Sequence, residues 1–202
     1  MNPIRARRLP AAIIALALTA CSNFDKPGYG WAADSELAQP TPLFLPANAP
    51  FISQRFRPVD GPADNYHRGF DIQVPISTPV AAVADGLVSR VSFSPFYGRQ
   101  VFVDRGLQTR YFHLSEQRVD GSVRRGQLRG YSLPSGMLGV FAHLHFEVHR
   151  LDDAVPPRAV GQLDPQGFWI DGVGRVTCFD AARDFASARL TYPVPCRAAE
   201  SE

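Results

Sequence analysis

Between Phe51 and His149 the chain is cut into short apolar runs separated by turn residues, and no helical period there outlasts two turns. Such a pattern suits an antiparallel sheet built of short hairpins. "TPVAAVADGLVSRVSF" reads as strand, Asp85-Gly86 turn, strand, because Asp-Gly between alternating apolar residues is a strong hairpin signal. "RQVFVDRGLQTRYFHL" repeats the arrangement with a looser turn over Arg105 to Gln108. Eighteen prolines and sixteen glycines fit a fold of turns and short strands. The expected fold is all-β: a curled or sandwiched antiparallel sheet over one core.

The two ends read differently. "MNPIRARRLPAAIIALALTAC" has Arg5, Arg7 and Arg8 ahead of an apolar run, Leu9 to Ala20, too short to span a bilayer. Residues 1–20 are therefore expected to be a secretion signal. Its ending, Leu18-Thr19-Ala20-Cys21, resembles the lipobox of bacterial lipoproteins, which implies that Cys21 becomes the lipidated first residue. Ser22 stands where aspartate would often retain such a protein at the inner membrane, so the resemblance implies the outer membrane, facing the periplasm. Removing three arginines lowers Lys+Arg from 21 to 18 against 19 Asp+Glu, a mature charge of −1. No basic run remains, which argues against a nucleic-acid partner.

Residues 21–50 lack a sustained period and read as a tether, partly packed at "LFL". Residues 51–150 form the main domain and 151–202 an extension. In the extension "GQLDPQGFWIDGVGRVTCFD" is expected to add a strand and "AARDFASARL" a short helix. An exported chain meets an oxidising compartment, where Cys178 and Cys196 should pair and fasten the extension.

The chain has five histidines, and three of them, His143, His145 and His149, fall in "AHLHFEVHR". As a strand, this stretch points Leu144, Phe146 and Val148 one way and His143, His145, Glu147 and His149 the other. His67 and Asp71 in "NYHRGFD" add an imidazole and a carboxylate at i and i+4. Such groups suit a borderline cation such as Zn²⁺, and three protein ligands with an open fourth position mark a catalytic rather than a structural zinc.

"HRGFDI", "YFHLS" and "HLHFEV", in that order, resemble the lysostaphin/LytM family of zinc metallopeptidases, which cut peptide cross-links in bacterial peptidoglycan. The resemblance covers about Phe51 to Arg150, with "TPVAAVADGLV" and "VRRGQLRG" also similar to family segments. It implies one Zn²⁺ per chain held by His67, Asp71 and His145, peptidoglycan peptide stems as substrate, and a membrane tie through Cys21. It also implies that His113 and His143 orient the attacking water and steady the transition state. Glu147 is a candidate outer partner of a ligand imidazole, or else an ordinary surface strand residue. His149 has no counterpart and is expected to face solvent.

The chain departs from the family in "LPSGMLGVFAHLH", where Phe141-Ala142 replace a Gly-Pro beside the substrate groove. Arg105-Gly106 likewise replaces a frequent His-Gly. Two other functions compete. One is a LytM-like regulator that binds and activates a cell-wall amidase, having lost its metal ligands; here all the ligands and both assisting histidines are retained. The other is a lipoyl- or biotinyl-type carrier, which needs a lysine at a hairpin tip, and no lysine follows Lys26.

Overall fold

The computed structural model describes residues 42–58, 66–117, 121–138, 141–151, 161–185 and 189–197. The expected signal peptide, Cys21 and most of the tether lie outside them. In chain order the strands are β1 (Ile52–Gln54), β2 (Phe70–Gln73), β3 (Pro79–Ala81), β4 (Gly86–Ser94) and β5 (Gly98–Asp104). There follow β6 (Leu107–Leu114), β7 (Ser122–Val123), β8 (Leu128–Tyr131), β9 (His143–Arg150) and β10 (Gln162–Leu163). A single 3-10 turn, Pro165–Phe168, is the only helical element among the described residues.

The main sheet runs β1-β2-β9-β6-β5-β4-β7, with β10 also on β9, and β3 and β8 form a separate pair. Every pairing between these strands is antiparallel. The all-β expectation holds. β9 is an interior strand, paired with β2, β6 and β10, and both of its faces are buried. Leu144, Phe146 and Val148 bury their side chains with Phe70, Ile72, Val101 and Tyr111 in the apolar core. Its opposite face carries the polar groups described below, which are buried too.

The β5–β6 hairpin forms where expected, across Arg105-Gly106, with Gly106 at φ +67° in the left-handed region that glycine enters without a Cβ penalty. The hairpin expected at Asp85-Gly86 does not form. β3 pairs with β8, whereas β4 pairs with β5 and β7. The reason lies in the backbone of Ala82 and Val83, whose bonding groups are satisfied elsewhere. Ala82 N–H donates to the Gln127 carbonyl (2.9 Å), and its own carbonyl accepts from Gly126 N–H (2.8 Å). Val83 N–H donates to the Tyr111 hydroxyl (3.0 Å), and the Val83 carbonyl accepts from Thr191 N–H (3.0 Å). The local turn signal is outcompeted by these long-range partners.

The extension contributes to the core as well as being tied to it. Trp169, Val176, Leu190, Tyr192 and Val194 join the apolar cluster of β2 and β9. The Trp169 ring lies 6.2 Å from that of Phe70 and 6.0 Å from that of Tyr192. Cys178 and Cys196 form the expected disulfide, and β10 is the expected added strand. No helix forms among the described residues of 181–190. A turn at Asp180 takes its place, with Ala182 N–H donating to the Asp180 carboxylate at 2.9 Å. So short a segment cannot recover the cost of helix nucleation by itself. At the other end of the domain, Leu43 and Leu45 pack on the core. Phe44 bridges Arg175, its N–H donating to the Gly174 carbonyl at 2.7 Å, so "LFL" packs as expected.

Candidate metal centre

The β2–β9 register sets Asp71 directly opposite His145. His67 precedes β2 in an isolated bridge to Arg57, held by reciprocal backbone hydrogen bonds of 2.9 and 3.0 Å. Arg68-Gly69 then carries the chain over β9. There a Cβ on Gly69 would stand 2.1 Å from the Phe146 carbonyl oxygen, so only glycine allows the approach. As a result three side chains from two strands and a bridge converge. His145 Nδ1 lies 2.7 Å from Asp71 Oδ1, and His67 Nε2 lies 3.2 Å from each of those atoms.

The other nitrogen of each imidazole is already engaged. His67 Nδ1 donates to the Arg55 carbonyl at 3.0 Å, and His145 Nε2 donates to Glu147 Oε1 at 3.0 Å. These partners leave His67 Nε2 and His145 Nδ1 turned towards Asp71. Two ligands 2.0–2.1 Å from a tetrahedral zinc stand about 3.3 Å apart, close to the two 3.2 Å separations, whereas the 2.7 Å contact between His145 and Asp71 is a hydrogen bond that would open around the ion. The donor set, two imidazole nitrogens and one carboxylate oxygen, therefore fits the ion. Burial works against charge on His145, yet its hydrogen bonds to Asp71 and Glu147 push its pKa up to about 9. Burial alone would raise Asp71, but the two imidazoles hold it well below the usual carboxylate range. Anionic Asp71 thus faces a proton on His145 that a divalent cation could replace.

His113 and His143 flank this cluster, their ring centroids 4.7 Å apart. His143 Nδ1 donates to the Phe141 carbonyl at 2.7 Å, and its Nε2 lies 3.7 Å from Asp71 Oδ1. His113 Nδ1 donates to the Ser135 carbonyl at 2.7 Å. Burial pushes the His113 pKa down to about 4, against the pull of that carbonyl, so the ring is neutral at pH 7. His113 also has φ +58°, a conformation rare for residues with a side chain and concentrated at functional positions.

All five residues singled out from the motifs, His67, Asp71, His113, His143 and His145, meet in one cluster. Glu147 is buried rather than exposed, and contacts His145 as an outer partner would. His149 differs from expectation. It is 5% exposed, not solvent-facing, and its Nε2 meets Glu147 Oε2 at 2.6 Å. The cause is coverage: β6 and β10 both pair with β9 at His149, opposite Gln108 and Gln162. The carbonyls of Arg55, Ser135 and Phe141, which orient three imidazoles, carry no sequence signal because every residue has one.

A metalloprotease of Haemophilus influenzae, otherwise uncharacterized, is 36% identical to this chain over 118 residues, 56% of the chain and 24% of that protein. Peptidoglycan DD-endopeptidase ShyC of Vibrio cholerae is 32% identical over 108 residues, 52% of the chain and 24% of that protein. The chain thus spans about a quarter of the length of these relatives. The solution structure of lysostaphin shares the fold, with a TM-score of 0.51 at 22% identity over 69% of this chain and 57% of lysostaphin. Residues 65–157, which hold all five histidines and Asp71, match peptidase family M23.

Proposed function

We propose that this chain is a zinc-dependent endopeptidase of the M23 type that hydrolyses peptide cross-links of bacterial peptidoglycan. The observation that carries this reading is the convergence of His67, Asp71 and His145 within 3.2 Å of one another, beside two further imidazoles. His67 Nε2, Asp71 Oδ1 and His145 Nδ1 would hold one Zn²⁺. When bound, zinc lowers the pKa of its water towards 7 and polarises the scissile carbonyl.

The chain's own residues do the rest. His143, anchored at Nδ1, turns Nε2 towards the ligand set, where it can take a proton from water and return it to the leaving amine. Neutral His113, anchored on Ser135 through Nδ1–H, supplies a second imidazole beside it, whose Nε2 is an acceptor that can hydrogen-bond and orient the attacking water. The peptidoglycan substrate is supported by the likeness to the Vibrio cholerae DD-endopeptidase. A regulator that only activates an amidase would have no use for a complete ligand set with both assisting imidazoles. We also read Cys21 as the lipid attachment point, with the domain on the periplasmic side of the outer membrane; that part rests on the sequence of the leader alone.

The test separates metal binding from proton transfer. His145→Ala should lose both zinc and peptidoglycan cleavage. His143→Ala should keep zinc near one per chain yet slow about 10²–10⁴-fold, as expected for loss of an acid–base group. Metal content is measured beside release of muropeptide fragments. If His143→Ala loses zinc and His145→Ala keeps it, the roles are reversed; if both cleave normally, the enzyme reading is wrong.

A further inference from the structure

Four of the five histidines face the ligand cluster, and the fifth stands behind it. His145, Glu147 and His149 alternate along one face of β9, and their side chains form a continuous chain. Glu147 Oε1 accepts from His145 Nε2 at 3.0 Å, and Glu147 Oε2 meets His149 Nε2 at 2.6 Å. The Arg110 guanidinium stands 3.8 Å from Oε2, close enough to favour the charge but too far to hydrogen-bond. All three members of the chain are buried.

This geometry has a mechanical consequence. The terminal torsion of a glutamate is broad and roughly two-fold, so a carboxylate held by one oxygen alone still turns. Held by both oxygens, it is fixed in plane. The backbone of His149 is held on both sides, by β6 at Gln108 and by β10 at Gln162, so its ring springs from a fixed point. Strand β10 belongs to the C-terminal extension, so that segment contributes to holding His149 in place.

We propose that His149 is a positioning residue for the metal site: it grips the free oxygen of Glu147 and thereby holds His145 with Nε2 protonated and Nδ1 presented to Asp71 and His67. This rests on the reading of His67, Asp71 and His145 as the ligands. Partners of this kind typically change metal affinity about 10–100-fold when removed.

The experiment titrates metal-free full-length protein with zinc against a competing chromogenic chelator. His149→Phe, which keeps a ring but loses the nitrogen, should bind zinc at least about 10-fold more weakly than wild type. His149→Gln, whose amide nitrogen can still reach Glu147, should bind close to wild type. In a Glu147→Ala background the phenylalanine substitution should add no further loss, because His149 acts only through that carboxylate. His149→Asn, too short to reach Glu147, supplies the same contrast should the phenylalanine variant fail to fold. Wild-type affinity in His149→Phe or His149→Asn would overturn the proposal. So would a full additional loss in the Glu147→Ala background, which would mark a packing role. Wild-type protein that takes up no zinc would overturn the ligand reading and this proposal together, a result distinct from the other two.

Discussion

Replacing Gly69 with alanine tests how the ligand-bearing segment sits on β9. The added methyl group would stand 2.1 Å from the Phe146 carbonyl oxygen, 2.8 Å from the carbonyl carbon and 3.0 Å from Glu147 Cγ. Favourable contact between such atoms begins near 3.4 Å, so roughly 1.3 Å of separation is missing. The obstacle is backbone, locked in the ladder that pairs Phe70 with Phe146 and Asp71 with His145. Segment 67–71 must therefore move. Overpacking of this kind costs about 1–3 kcal/mol, and about 2 kcal/mol would lower the melting temperature of a chain this size by about 4–8 °C. The metal centre should suffer more. Metal–ligand distances tolerate only about 0.2 Å, several-fold less than the displacement required, so His67 or Asp71 leaves the ion. Calorimetry of the metal-free protein and a zinc competition titration measure the two effects. Gly106→Ala is the control: nothing lies within 4 Å of its Cβ, but its φ is +67°. It should cost about 1–2 kcal/mol for the left-handed backbone and leave zinc affinity unchanged. A Gly69→Ala protein that melts with wild type and binds zinc as tightly would refute the close-approach argument.

Three further outcomes are expected. Replacing Cys178 and Cys196 together by serine should lower stability by about 3 kcal/mol, from the closure entropy of a loop between residues 18 apart in sequence; an unchanged urea midpoint would contradict it. His113→Val should be less stable than His113→Asn by about 1 kcal/mol, because a β-branched residue tolerates φ +58° less well than asparagine; equal denaturation midpoints would remove the case for backbone strain there. Cys21→Ala should move the mature protein from the membrane to the soluble fraction and abolish palmitate labelling; unchanged fractionation would refute the lipid anchor.

The class of fold, the β5–β6 hairpin and the polarity of the two faces of β9 are all legible in the order of residues. Period-two alternation in "HLHFEVH" suffices for that, because strand side chains alternate whatever lies beside them. The order of residues also shows which side chains could hold a cation, since the imidazoles and the carboxylate stand in three recognisable motifs. Which residues meet depends on the folded chain. Asp85-Gly86 carries a strong local hairpin signal, yet Ala82 and Val83 bond to residues 126, 127, 111 and 191, far away in the chain. A local signal offers a turn; the most complete set of backbone partners decides whether it is used. His149 shows the same limit. Alternation assigned it correctly to the polar face of β9, but burial depends on what covers that face. Here β6 and β10 flank it and the Glu147 carboxylate takes its nitrogen, so a residue that reads as solvent-facing lies behind the cluster of His67, Asp71 and His145. Direction along a strand is a property of the strand, whereas exposure is a property of its neighbours.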